Sequence, residues 1–383
     1  MPSIEGRHYQ TGQPIAIDVA EGRIAAVRPS TRGNGPWWIA PGFVDAQVNG
    51  YRGIDFNALS LNQVQIEEAV NALWQDGVTS FMPTIITHGE DEMIVLSRRW
   101  AGLKDRSRLF ESVIGLHWEG PFISLEEGPR GAHPKAGVRS PDLALVMQGQ
   151  RASEDLIRLV TLSPEWQEAP SLTRALVQQE IRVAIGHTAA NSAEIAAVVD
   201  AGATLSTHLG NGSHPYLPRH TNYIWDQLAE DRLWASVIGD GHHLPWPMLK
   251  VLLRAKAKTA YFVSDATSLA GCPPGSYAAP VGGKVQLNAD GRLFLADHPE
   301  ILAGSAMPLK DAVFRMAAHG MGSLAALWDL ASIRPAKFWN LEAAGGLAVG
   351  APADLVCFKL DANALIIGKT MKCGTVVYQR EEG

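Results

Sequence analysis

Three polar side chains follow apolar, strand-like stretches of the chain, and their types suit the binding of a metal ion. Glu119 lies near the end of SVIGLHWEG, His187 near the end of RVAIGHT, and His208 near the end of ATLSTHLG. One carboxylate and two imidazoles are a common ligand set for Zn²⁺ or another first-row divalent ion, with room left for water. Because a catalytic zinc ion lowers the pKa of bound water from about 15.7 to roughly 7, this set indicates metal-assisted hydrolysis.

Asp265, in the stretch AYFVSDAT, follows a further strand-like run and could move protons during such a hydrolysis. A single carboxylate can accept a proton as water attacks a carbonyl group and later deliver it to the leaving nitrogen. Any one polar residue at a strand end could simply mark the place where the strand stops. The recurrence of such residues at several strand ends, with Asp240 and His243 after another run, favours one shared site.

The elements that would position these residues alternate regularly along the chain. Helix-like segments separate the strand-like runs; one of them, NSAEIAAVVDAG, has a capping Asn191 or Ser192 at its start and Gly202 at its end. Runs rich in Val, Ile and Leu are typical of a parallel sheet covered on both faces. The eight runs are WWIAPGFVDAQVNG, TSFMPTIIT, SVIGLHWEG, IRLVTLSP, RVAIGHT, ATLSTHLG, WASVIGDG and AYFVSDAT. They predict an α/β fold, a (β/α)8 TIM-like barrel, whose working residues lie at the C-terminal strand ends.

The two ends of the chain have a different pattern. Residues 1–38 and 344–383 contain short strand-like pieces broken by Gly and Pro, such as PIAIDVAEGRIAAVRP and CGTVVYQ. Neither end could bury a core alone. We therefore expect the two ends to form a small β-sandwich beside a barrel of residues 39–343.

The composition of the chain limits the kinds of molecule that the protein is expected to bind. The 383 residues carry a formal net charge of −6, which provides no basic surface for nucleic acid or an anionic membrane. The three cysteines lack the spacing of a disulfide framework or a metal site, as expected in a reducing compartment. The N-terminal MPSIEGRHYQ has no apolar signal core, and no apolar run is long enough to span a membrane. We expect a cytoplasmic protein with a small-molecule partner.

Ten stretches, in order along nearly the whole chain, resemble the N-acetylglucosamine-6-phosphate deacetylase family of the amidohydrolase superfamily. They are PGFVDAQVNGYRG, DGVTSFMPTIIT, GLHWEGPF, GAHPKAG, IGHTAA, THLGNG, DGHH, SDAT, LAGSAM and PADLVCF. The resemblance implies hydrolysis of the acetamide of an N-acetylated amino sugar, with N-acetylglucosamine 6-phosphate as the leading substrate. It also implies one divalent metal per chain; Zn²⁺ is favoured, and Fe²⁺, Mn²⁺ or Co²⁺ also suits the ligand set.

The resemblance assigns further roles to individual residues. Asp265 would be the acid and base, His243 would contact and polarise the substrate, and His133 would contact the sugar or the reacting carbonyl. Gln47 and Asn49 lie two apart on one strand and face the same side. They stand where related amidohydrolases carry His-x-His, so they would be the remnant of a second metal position.

The stretch 211–222 departs from the usual family pattern. Asn211 and Gly212 match the substrate-binding turn, and Arg219 matches an arginine that reaches the sugar phosphate in a neighbouring subunit, which implies a homodimer. The planar guanidinium suits phosphate because it can donate two parallel hydrogen bonds. The residues around Arg219 differ from those of common family members. The sequence therefore leaves open whether the substrate must carry the 6-phosphate.

Two alternatives remain open on the sequence. One is an amidohydrolase for another N-acyl substrate, such as N-acetylgalactosamine 6-phosphate, an unphosphorylated sugar or an N-acyl amino acid. The other is a non-catalytic sugar-binding protein on the same scaffold. The presence of Glu119, His187, His208 and Asp265 argues against the second, because a disused site usually loses its ligands first.

Overall fold

Eight parallel strands form the centre of the molecule. The computed structural model describes residues 3–33, 35–104, 107–279 and 283–381. Numbered along the chain, the strands in sheet order are β5 (Phe43–Val48), β8 (Val78–Ile86), β9 (Leu116–Glu119), β10 (Ile157–Leu162), β11 (Arg182–Ile185), β12 (Leu205–Ser206), β13 (Trp234–Ile238) and β14 (Ala260–Val263). A parallel bridge between Val48 and Ala266 joins the first strand to the segment after the last. The sheet is thus nearly closed, which confirms the predicted barrel.

Helices follow most of the barrel strands. They are α1 (Gln63–Gln75), α2 (Glu90–Ala101), α3 (Ser107–Phe110), α4 (Leu143–Ala152), α5 (Ala169–Gln178), α6 (Ser192–Asp200), α7 (Tyr223–Ala229), α8 (Trp246–Ala255), α9 (Leu309–Ala318), α10 (Leu324–Leu330) and α11 (Ile333–Phe338), with 3-10 turns at Lys135–Gly137 and Glu342–Gly345. At the start of α6, Asn191 accepts from the backbone N–H of Glu194, and the Glu194 carboxylate accepts from that of Asn191. This reciprocal pair is the capping box that fixes where the helix begins. Within the described ranges, no helix has both the length and the apolar character needed to cross a membrane.

Strands from both chain ends share one sheet, as predicted for the small β-sandwich. Its order is β21 (Thr375–Gln379), β20 (Ala364–Lys372), β19 (Leu355–Asp361), β4 (Trp38–Pro41), β1 (Ser3–His8), β2 (Pro14–Ala20) and β3 (Arg23–Pro29). The first strand-like run of the sequence therefore contains two strands, β4 in this sheet and β5 in the barrel. The predicted domain limits at residues 38–39 and 343–344 stay predictions.

Aromatic packing and a buried lysine connect the sandwich to the barrel. The Trp328 ring stacks on Phe43 and Phe358, with centroid separations of 4.3 and 4.4 Å. The Lys372 ammonium donates to Asp354 Oδ2 over 2.8 Å and to Ser80 Oγ, on β8, over 3.2 Å. Both charged groups are buried and lie in the C-terminal part of the chain, so the bond from Lys372 to Ser80 is the one that crosses to the barrel.

A four-stranded antiparallel sheet between β14 and α9 was absent from the sequence prediction. It contains β15 (Gly275–Ala279), β16 (Gly283–Leu287), β17 (Leu293–Leu295) and β18 (His298–Leu302). A separate two-stranded ribbon, β6 (Gly50–Tyr51) and β7 (Ile54–Asp55), lies between β5 and α1 along the chain. The short strands of the larger sheet cover a small cluster that includes Val285 and Leu293. Its turn reaches the mouth of the barrel, where the Asp290 carbonyl lies 3.0 Å from His242 Nε2.

Candidate active site

Glu119, His187 and His208 meet at the C-terminal end of the barrel. Glu119 Oε1 lies 3.2 Å from His187 Nε2 and 2.8 Å from His208 Nε2, and the two nitrogens are 3.1 Å apart. A tetrahedral ion with bonds of about 2.0 Å separates its ligand atoms by roughly 3.3 Å. All three side chains are buried, and their ligand atoms have nearly the mutual spacing that such an ion requires. The residues present therefore fit a divalent cation.

The backbone and a loop carbonyl hold the two imidazoles in place. His187 and His208 follow β11 and β12 with φ of 50° and 30°, in the left-handed region that residues with a side chain seldom adopt. The Pro129 carbonyl lies 2.9 Å from His187 Nδ1 and can accept only if that nitrogen carries the hydrogen. With that hydrogen on Nδ1, the lone pair of a neutral His187 ring lies on Nε2, which is the atom that would bind a metal ion.

The electrostatics of the cluster favour an ionised Glu119. Burial alone would raise the pKa of this carboxylate, but hydrogen bonds and positive charge from His187 and His208 hold it well below its ordinary value. Burial would lower the pKa of His208, but its hydrogen bond and charge interaction with Glu119 raise it. An ionised carboxylate is the form that binds a cation, and its negative charge favours a cation beside the two imidazoles.

Gln47 and Asn49 both point their amide groups at Asp265. Gln47 Nε2 donates to Glu119 Oε1 over 2.9 Å and to Asp265 Oδ1 over 3.0 Å, while Asn49 Nδ2 donates to the same Asp265 oxygen over 2.8 Å. An ionised carboxylate only accepts hydrogen bonds, so the amide nitrogens must face these oxygens. These two residues, at the position expected for a second metal, thus contact the carboxylates of the site.

Asp265 follows β14 in the same unusual backbone region, with φ of 49°. Burial, reinforced by the negative charge of Glu119, raises the pKa of its carboxyl group to about 6. A carboxyl group whose pKa approaches neutrality can both accept and release a proton under physiological conditions. Its position beside Glu119 suits proton transfer at the site.

His133 lies over the His187 ring, with ring centroids 4.3 Å apart and nearly perpendicular planes. Glu119, His133 and His187 can also each offer a ligand atom within 4.8 Å of one another. The Thr87 backbone N–H donates to His133 Nδ1, and the Thr87 hydroxyl is 2.9 Å from the same nitrogen. Burial and the charge of His187 lower the pKa of His133 well below its ordinary value. Because the closer trio includes His208, we assign His133 to hydrogen bonding as a neutral ring.

His243 is held by Asp240 in the turn after β13. His243 Nδ1 lies 2.7 Å from Asp240 Oδ2, and the backbone N–H groups of His242 and His243 donate to Asp240 Oδ1. Burial alone would raise the pKa of Asp240, but these hydrogen bonds and the charge of His243 lower it to about 2. An ionised Asp240 fixes the ring through Nδ1, and in the described part of the chain no hydrogen bond of His243 Nε2 is seen.

The loop after β12 places some predicted residues near the cluster and leaves one exposed. Asn211 Nδ2 donates to the His208 carbonyl over 3.0 Å. A Cβ atom on Gly212 would lie 2.7 Å from His187 Nδ1, so the loop passes directly over that ring. In the same loop, the His214 backbone N–H donates to the Tyr223 hydroxyl, and His214 Nδ1 contacts the same oxygen. Arg219 is exposed, and among the described ranges no hydrogen bond or ion pair of its side chain is seen.

Sequence reasoning missed the residues that orient the imidazoles. Thr87 and the Pro129 carbonyl lie on loops 46 and 58 positions from the histidines that they contact. A backbone carbonyl leaves no trace in residue type. Thr87 does end the second strand-like run, TSFMPTIIT, and its position at a strand end was the available signal.

Comparison with known proteins agrees with this geometry. The sequence model of the Amidohydrolase family matches residues 38–377, so the chain is a hydrolytic enzyme of that family. N-acetylglucosamine-6-phosphate deacetylase of Bos taurus is 33% identical over 355 residues, covering 90% of this chain and 84% of the relative. The chain belongs to the N-acetylglucosamine-6-phosphate deacetylase family, as the resemblance in the sequence predicted.

Two further similarities concern substrate and fold. N-acetylgalactosamine-6-phosphate deacetylase of Escherichia coli O157:H7 is 29% identical, with 89% of each chain covered. A solved structure of a mutant N-acetyl-D-glucosamine-6-phosphate deacetylase from Mycobacterium smegmatis, in complex with N-acetyl-D-glucosamine-6-phosphate, superposes with a TM-score of 0.83 at 28% identity. It covers 95% of this chain and 94% of its own. Family members with either sugar epimer are therefore similar to this chain.

Proposed function

We propose that this enzyme hydrolyses the acetamide of N-acetylglucosamine 6-phosphate, giving acetate and glucosamine 6-phosphate. The proposal rests on the buried cluster of Glu119, His187 and His208. Asp265 lies next to this cluster, and the Gln47 amide donates hydrogen bonds to both Glu119 and Asp265. Membership in the deacetylase family supports the choice of an N-acetylated amino sugar.

Glu119, His187 and His208 would hold one divalent cation per chain. Zn²⁺ is favoured by the carboxylate and imidazole donors, and Fe²⁺, Mn²⁺ or Co²⁺ also suits them. A cation bound there would act as a Lewis acid, polarising the acetamide carbonyl and making water a stronger acid. Gln47 and Asn49 are occupied with carboxylates, which supports one cation rather than two.

Asp265 would carry the proton between the two halves of the reaction. Gln47 and Asn49 bind its Oδ1, so Oδ2 would take the proton of the attacking water as the oxygen bonds to the carbonyl carbon. The same group would return the proton to the amide nitrogen as the carbon–nitrogen bond breaks. Acetate and the free amine of the sugar are then the products.

His133 and His243 would bind and orient the substrate. A neutral His133, whose Nδ1 accepts from the Thr87 backbone N–H, would donate from Nε2 to the sugar or the carbonyl oxygen. His243, fixed by Asp240, would contact the substrate and help polarise it. Asn211 and the backbone of Gly212 would line the sugar, because their loop passes over His187.

Arg219 would bind the sugar phosphate in the neighbouring subunit of a homodimer. Its guanidinium group is exposed and carries no partner among the residues that the structure describes, so it is available to a second chain. A planar guanidinium can donate two parallel hydrogen bonds to phosphate. We also propose a cytoplasmic location, in keeping with three free cysteines, and domain limits of 1–38, 39–343 and 344–383.

N-acetylgalactosamine 6-phosphate is a second candidate substrate. The relative from Escherichia coli O157:H7 is an N-acetylgalactosamine-6-phosphate deacetylase. In addition, residues 211–222 of this chain differ from the usual pattern of the N-acetylglucosamine-6-phosphate deacetylase family. The epimers differ only in the orientation of one hydroxyl, which a hydrogen-bonding pocket can distinguish strongly.

The test is acetate release from a panel of N-acetylglucosamine 6-phosphate, N-acetylgalactosamine 6-phosphate and unphosphorylated N-acetylglucosamine, at counted metal content. We expect the highest kcat/KM for the first, and a selective loss of the phosphate preference in Arg219→Ala. Equal kcat/KM for N-acetylglucosamine 6-phosphate and N-acetylglucosamine would show that the enzyme does not recognise the phosphate. Preference for the galacto epimer would replace the substrate but keep the chemistry.

A further inference from the structure

A chain of hydrogen bonds crosses the barrel interior one layer beneath the candidate metal ligands. His117 Nε2 lies 2.7 Å from Thr161 Oγ1, which lies 2.8 Å from Thr207 Oγ1. On the other side, His117 Nδ1 is 3.4 Å from Thr84 Oγ1, which accepts from the Val48 backbone N–H over 3.2 Å. We call Thr84, His117, Thr161 and Thr207 the belt. It links β5 to the end of β12, and its side chains are buried.

Glycine makes one link of the belt geometrically feasible. Thr161 on β10 reaches Thr207 after β12 across the end of β11, where Gly186 immediately precedes His187. A Cβ atom on Gly186 would lie 2.7 Å from Thr161 Cγ2 and 2.9 Å from Thr207 Cβ. Any side chain at position 186 would collide with Thr161 and Thr207, so the hydrogen bond between these two threonines requires glycine there.

The members of the belt lie directly next to the candidate ligands along the chain. His117 stands two residues before Glu119 on β9, so the two side chains point to the same side of the strand. Thr207 immediately precedes His208, whose backbone is in the left-handed region. A shift of the belt would thus move the strand ends that carry the ligand atoms.

Barrels of this class are usually filled in this layer by Val, Ile and Leu. A buried imidazole and three hydroxyls need hydrogen-bond partners, since an unsatisfied group costs roughly 1–3 kcal/mol. Their mutual hydrogen bonds are directional, so they add a side-chain constraint to the register that the backbone hydrogen bonds set between the strands. The belt is therefore suited to fixing relative strand positions.

We propose that His117, through Thr161 and Thr207, is a positioning residue that aligns Glu119, His187 and His208 for metal binding. The inference rests on the proposed function, because it concerns the metal that the three ligands would hold. Among the hydrogen bonds of the described residues, none joins a belt side chain to the ligand atoms of Glu119, His187 or His208. Its contribution is to the separation of the ligand atoms, and metal affinity is the property that reports this most directly.

The experiment compares Zn²⁺ affinity, by competition with a chromophoric chelator, and thermal unfolding in matched threonine variants. Thr161→Val and Thr207→Val each remove a hydroxyl while keeping the size of the side chain, and Thr161→Ser keeps the hydroxyl. Thr79→Val is the control, because Thr79 is a buried barrel threonine on β8 whose hydroxyl donates to the Phe43 carbonyl outside the belt. Two separate belt variants keep the test usable if one does not fold.

We expect Thr161→Val and Thr207→Val to bind Zn²⁺ about tenfold more weakly, with Thr161→Ser close to the wild type. Thr79→Val should lower the melting temperature and leave the affinity unchanged. Wild-type affinity in both hydroxyl-free belt variants would overturn the proposal and leave the proposed function standing. A wild-type protein that binds no Zn²⁺ would overturn the proposed function, and the role of the belt with it.

Discussion

The side-chain amide of Gln47 donates to Asp265 Oδ1 over 3.0 Å and, with its other hydrogen, to Glu119 Oε1 over 2.9 Å. The residue thus bridges a candidate metal ligand and the candidate acid and base. A histidine at this position could not donate to both carboxylates from one nitrogen. Glutamine therefore has a use of its own at the position that the sequence predicts as the remnant of a second metal site.

Gln47→Glu should damage the site through charge. It would put a third carboxylate against Glu119 and Asp265, where the like charges repel and no hydrogen is left to donate. We expect kcat to fall by about 100-fold, since the general acid and base would lose its orientation. The measurement is the steady-state rate of acetate release, with the exposed Gln178→Glu as a control of equal charge change. An unaltered kcat in Gln47→Glu would contradict the bridging role.

Asp265→Asn should separate catalysis from binding. The new amide oxygen could still accept the hydrogen bonds of Gln47 and Asn49, but the side chain could no longer take up a proton. We expect kcat to fall by about 10²- to 10⁴-fold. Substrate affinity, measured by calorimetry, and metal content should remain near the wild type, as they should in the exposed control Asp231→Asn. A loss of metal instead would make Asp265 a ligand rather than a proton carrier.

Gly212→Ala should weaken metal binding by displacing His187. Gly212 has φ of 55°, and a Cβ there would lie 2.7 Å from His187 Nδ1, the nitrogen that faces the Pro129 carbonyl. Gly320→Ala is a matched control, because Gly320 has φ of 67° and nothing within 4 Å of a Cβ. Both variants should lose about 1–2 kcal/mol of stability from the backbone conformation. Only Gly212→Ala should also weaken Zn²⁺ binding, by roughly tenfold or more; equal affinities would exclude the steric effect.

Lys372→Met should destabilise the junction between sandwich and barrel. It would leave Asp354 buried without its ion-pair partner, and breaking such pairs costs about 3–5 kcal/mol. Denaturant unfolding measures the change, and kcat of the folded protein should not alter. The exposed pair of Arg232 and Asp200 provides a comparison, since Arg232→Met should change stability little. A similarly small effect for Lys372→Met would show that the junction is solvated.

The residues that carry the chemistry could be predicted because a barrel places them at recurring positions. Glu119, His187 and His208 each end or follow a strand, so the alternation of strands and helices sufficed to bring them to one rim. The hydrogen bonds of Gln47 and Asn49 could not be predicted, since residue type alone does not distinguish a metal ligand from a carboxylate partner. Backbone φ values in the left-handed region at the two histidines likewise have no sequence signal outside glycine.

The four-stranded sheet of residues 275–302 was missed for a different reason. Its strands are three to five residues long and largely exposed, so apolar residues do not alternate over a useful length. The first strand-like run predicts one strand, whereas the structure has two, β4 and β5, separated only by Gly42. A Cβ on Gly42 would lie 2.2 Å from Thr79 Oγ1, so the close approach of β8 requires glycine there. Such contacts depend on distant residues and are visible only in the folded chain.

Removal and restoration of metal tests the central claim most directly. The enzyme is stripped with a chelator, and acetate release from N-acetylglucosamine 6-phosphate is then followed as Zn²⁺ is added in known amounts. Hydrolysis should be absent in the stripped protein and rise linearly to saturation at about one Zn²⁺ per chain, and Glu119→Gln should not recover. Full activity in metal-free protein, or saturation only at two metal ions per chain, would contradict the account.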